Sequence, residues 1–102
     1  MALSTPPREA ASQVMASPQR LLLRALLNGL DADVSRNDGA AAYRYQTRIR
    51  LIALHFETNP LISDALERLL GASSQWLATN VAERYDAGKQ VLELIERTTG
   101  LL

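Results

Sequence analysis

The stretch "LIALHFETNPLISDALERLL", Leu51 to Leu70, decides how many helices this chain has. Apolar residues recur through it at three- and four-residue intervals, the period of a helix with one face turned inward. Asn59-Pro60 interrupts the middle of it. An asparagine oxygen can cap a helix start, and the missing N–H of a proline costs nothing in a first turn. The residue before a proline avoids the helical region. One helix therefore ends near Thr58 and another begins at Pro60.

Working outward, the upstream helix spans roughly Ala40 to Thr58, with Asp38 as its cap. Tyr45, Ile49, Ile52 and Phe56 form its inward stripe, with Ala42 and Ala53 beside it. Leu51 and Leu54 lie opposite that stripe. Downstream, Pro60 to Leu70 makes its contacts through Ile62, Leu66, Leu69 and Leu70, and Gly71 is expected to end it. Ser17-Pro18 opens an earlier helix, about Pro18 to Asn28, with Gly29 as its left-handed stop. Five leucines at 21, 22, 23, 26 and 27 cover more than half of that helix, so it packs on two sides or against a partner.

A final helix is expected from Ser73 or Ser74 to about Arg97. Its main stripe is Leu77, Val81, Tyr85, Gly88, Leu92 and Ile95, and a second holds Trp76, Ala87, Val91 and Leu94. Two apolar faces on one long helix point to a second subunit. The predicted fold is all-α: a compact bundle of about four helices with a long C-terminal helix, packing as a dimer. Residues 1–16 read as a flexible arm and 17–102 as a single helical domain. The partner or dimer face is then Leu51, Leu54, Trp76, Ala87, Val91 and Leu94.

Composition agrees with the helical reading. Leucine occurs 18 times and alanine 15, against eight valines and isoleucines together, a balance that favours helix over strand. Eleven basic residues cancel eleven acidic ones, so no global field draws in nucleic acid. Cysteine is absent, which removes disulfides, thiolate ligands and cysteine nucleophiles. "LLLRALL", Leu21 to Leu27, is too short to span a bilayer and carries Arg24. The amino end lacks a basic region followed by an apolar run, so no secretory signal is read there, and a cytoplasmic location is expected.

"DADVSRNDG", Asp31 to Gly39, reads as a polar connection. It fails as a calcium loop, because Arg36 stands where the sharp turn needs glycine and Ala42 where a bidentate glutamate should close the site. One histidine and no cysteine leave little material for catalytic triads or metal sites. Glu93 and Arg97 read as a surface i,i+4 pair. No metal, cofactor or catalytic residue is predicted, and the chain is expected not to be an enzyme.

Two local resemblances remain. "HFETNPL" resembles the phosphoacceptor box of histidine kinases, which implies His55 as acceptor in a dimerising hairpin over about Tyr43 to Leu102. The acidic residue that family carries directly after the histidine is Phe56 here. "ALERLLGASSQWLATN", Ala65 to Asn80, resembles a helix-turn-helix repressor with its turn at Gly71. That resemblance implies base contacts from Gln75, Thr79 and Asn80, and phosphate contacts from Arg44, Arg48 and Arg50. Glu67 stands where that unit needs a small residue, and zero net charge opposes DNA binding.

The reading favoured by the sequence is a small regulatory, adaptor or chaperone-like protein. It would act through apolar helical surfaces on a protein partner and form a homodimer, without membrane or cofactor. The alternative is a DNA-binding regulator using the 60–85 region, and a histidine phosphotransfer hairpin ranks third.

Overall fold

The computed structural model describes residues 17–102, which form four α-helices and no strand. The expected arm, residues 1–16, lies outside the described residues. Helix α1 spans Pro18–Ser35, α2 Gly39–Ile52, α3 Pro60–Ala78 and α4 Tyr85–Gly100. Short 3₁₀ turns, Ala53–Phe56 and Val81–Glu83, follow α2 and precede α4. Each helix packs against its chain neighbour, and α4 closes the ring against α1. The result is an up-down-up-down bundle.

The starts of the first three helices follow their caps. The Ser17 and Asn59 side chains accept from the backbone N–H of Arg20 and Ile62, each with a proline next in line. Asp38 accepts from Ala41 N at 3.1 Å. Asn59-Pro60 is the boundary its sterics required, and Phe56 closes the preceding turn inside the core.

The helix ends differ from expectation. Helix α1 passes straight through Gly29, and its left-handed stop is Asn37, with φ of 56°. Asp38 N donates to Asp33 O and Asn37 N to Val34 O, the paired bonds of a Schellman motif. Gly29 answers a packing need instead: a Cβ there would overlap the Tyr45 ring, which lies across α1 at that point. The Asp31–Gly39 connection is therefore helical over much of its length, and Asp33 is buried and paired with Arg36.

Gly71 does not end a helix either, because α3 runs on to Ala78. Ser73 and Ser74 are not caps. Gln46 of α2 donates to Ser74 Oγ, and Ser73 Oγ donates back to Gln46 Oε1, both at 2.9 Å. A buried amide thus finds partners across the α2–α3 interface, as a buried polar group must.

The break in the expected long C-terminal helix falls at Thr79–Arg84. Asn80 accepts from Ala82 N and starts the 3₁₀ turn. Arg84 folds back, donating from Nε to Thr79 O at 2.9 Å and from Nη2 to Leu77 O at 3.2 Å. These bonds satisfy carbonyls that the end of α3 leaves free. The guanidinium also lies 4.8 Å from the centroid of the Trp76 ring. Trp76 and Val91 accordingly sit on different helices, and both turn into the core.

Candidate functional site

The alternating topology gathers the start of α1, the end of α2, the start of α3 and the end of α4 at one pole of the bundle. Among the described residues, that pole carries most of the large apolar side chains left in water. Leu21 and Leu22 come from α1, Leu51 and Leu54 from α2 and its 3₁₀ turn, and Leu61 from α3. Leu51 and Leu54 are 64% and 63% exposed. Between α1 and α2 the pole is indented by a depression of about 310 Å³ lined by Leu22, Leu26, Leu51 and Ile52, with Arg48 and His55 on its edge.

Helix periodicity explains why these leucines stay outside. With Ala42, Ile49, Ile52 and Phe56 facing the core, Leu51 and Leu54 fall on the solvent side of the same turns. Helix α1 has leucines around more than one face, but among the described residues it finds neighbours only for the face holding Leu23, Leu26, Leu27 and Leu30. Leu21 and Leu22 are the remainder. The zero net charge also hides local structure: Gly39 to Phe56 contains Arg44, Arg48, Arg50 and His55 and no acid.

The predicted face is divided by the fold. Leu51 and Leu54 lie together at the leucine pole. Trp76, 1% exposed, and Val91, fully buried, belong to the core, with Ala87 and Leu94 half-buried against it. The argument for a second apolar face on the C-terminal helix thus loses its premise, since α3 and α4 cover those residues within one chain. Leu51 and Leu54 were legible as residues opposite the α2 stripe, but the approach of Leu51 to Leu22 across the α1–α2 groove depends on topology, which sets Leu61 in the separate groove between α3 and α4.

The residues of the two resemblances are also placed. His55 is exposed in the 3₁₀ turn, on the edge of the depression. The helix-turn-helix geometry is absent, because Gly71 lies inside a continuous helix. Thr79 donates to Gln75 O at 2.7 Å and Asn80 caps the next turn. Glu93 and Arg97 do not form the expected pair; the ion pair among the described residues is Asp33–Arg36. No group of three or more His, Asp or Glu among the described residues could hold a metal ion. No helix there is long and apolar enough to cross a membrane.

Comparison with protein-family models, curated proteins and solved structures finds no match for this chain.

Proposed function

We propose that this chain is a non-enzymatic interaction protein, adaptor- or regulator-like, whose leucine pole docks on an apolar helical surface of a protein partner. A second copy of the chain is the first such partner. The observation that carries the reading is the exposure of Leu22 and Leu51 on the walls of the α1–α2 depression, with exposed Leu54 three residues further along. Fully burying one such side chain is worth roughly 1.5–3 kcal/mol. A two-fold contact buries the same patch on both subunits and doubles each gain.

Light scattering at micromolar concentration tests this with Leu51 and Leu54 both replaced by glutamate. The wild-type chain should show the mass of a dimer and the double variant that of one chain, with unchanged circular dichroism. A wild-type mass of one chain overturns self-association. The wider reading falls if, in addition, wild type and variant retain the same proteins from a cell extract.

A further inference from the structure

The opposite pole holds a second feature, independent of the leucine cluster. A cavity of about 330 Å³ opens where the end of α1, the Val81–Glu83 turn and the first turns of α4 converge over Trp76. Its volume falls at the small end of the range for ligand sites, which combine apolar walls with a few placed polar groups. Val34, Val81 and Leu92 supply walls here, and Trp76 the floor. Gly88 keeps the cavity open: a Cβ there would stand 3.3 Å from the indole Nε1 and 3.7 Å from Val34.

Among the described residues, the charged groups lining this cavity are Arg84 and Lys89, and none is acidic. Arg84 also donates from Nη1 to Asn37 Oδ1, so three of its five N–H groups are engaged and two remain. The Lys89 ammonium lies 5.4 Å from the Tyr85 ring centroid and keeps its donors available at the mouth. Among the described residues, the hydrogen bonds around the cavity join Arg84 and Asn37 to Thr79, Leu77 and Val81, and none takes up the indole N–H of Trp76. An apolar chamber with free donors and two cations suits a ligand with a hydrocarbon body and one negative head.

We propose that the Trp76 cavity binds a small amphiphilic monocarboxylate, its hydrocarbon against Val34, Val81 and Leu92 and its carboxylate between Lys89 and Arg84. Two cations without an acid exclude an ammonium head, and the apolar walls disfavour a small hydrophilic anion.

Trp76 is the chain's sole tryptophan and lines this cavity, so its emission reports binding there. Octanoate should change that emission saturably, and octanol should require at least about tenfold higher concentration, since a hydrogen bond to a charged group is worth 1.5–3 kcal/mol. Octylammonium should give no saturable change. Lys89→Gln, an exposed substitution, should weaken octanoate by roughly tenfold with the fold intact. The variant carrying glutamate at 51 and 54 should bind octanoate as wild type does, which separates this site from the leucine pole. Absence of a saturable change, equal strength from octanol or octylammonium, or an unaltered Lys89→Gln titration overturns the proposal. So does loss of the signal in the leucine-pole variant.

Discussion

Gly29 shows how one residue's role depends on what crosses it. Alanine inside a helix is favoured over glycine by about 1 kcal/mol. At position 29 that gain meets the Tyr45 ring, which must swing away from α1 to admit a methyl group. Gly29→Ala is expected to destabilise the wild-type chain by about 1 kcal/mol, since overpacking of this kind costs 1–3 kcal/mol. With Tyr45 already replaced by alanine, the same change should stabilise by roughly 0.5–1 kcal/mol. Urea denaturation of the four proteins in this cycle measures the coupling directly. Equal effects of Gly29→Ala in both backgrounds would show that the ring does not hold the close approach.

At the scale of elements, α3 is the informative helix. None of the described residues lies within 4 Å of a Cβ built at Gly71, and the residue is exposed in mid-helix. Gly71→Ala should therefore raise stability by about 0.5–1 kcal/mol, through helix propensity and a less disordered unfolded chain. A left-handed turn at this position would make the same substitution destabilising, so the sign of the change in denaturation midpoint decides between one helix and two. The true interruption, at Thr79, had a readable signal in Asn80 followed three residues later by Glu83, a helix-start pattern. The apolar periodicity running from Trp76 to Leu94 obscured it. Trp76 and Leu77 end one helix and Val91 and Leu92 belong to another, so their shared phase along a single axis does not exist.

For the whole molecule, the two poles have different characters. One presents leucines with arginines beside them; the other closes a cavity under Arg84 and Asn37. Self-association through the leucine pole would link folding to concentration, because a partner that binds only the native chain stabilises it by mass action. The melting temperature of wild type should then rise with protein concentration over the micromolar range. In the Leu51→Glu, Leu54→Glu variant it should be independent of concentration. Both side chains face water in the single chain, so the variant at high dilution should melt close to the wild type. A wild-type melting temperature that ignores concentration would count against the dimer.

The all-α class, the Asn59-Pro60 boundary and the caps at Ser17, Asp38 and Asn59 could be read along the chain. These depend on side-chain propensity, pre-proline sterics and hydrogen bonds reaching three residues along the chain, all of which are local. The inward stripe of α2 was equally legible, and with it the exposure of Leu51 and Leu54, because one helical period places both faces. Packing between helices kept Gly29 and Gly71 helical, since a glycine names no neighbour and the roughly 1 kcal/mol it costs in a helix is smaller than the burial of the residues flanking it, Leu27 and Leu30 in α1 and Leu69 and Ser73 in α3. Tertiary structure likewise set Ser73 and Ser74 opposite Gln46, and turned Trp76 and Val91 inward. Each of those roles belongs to a contact between helices distant in sequence, and no periodicity along one helix contains it.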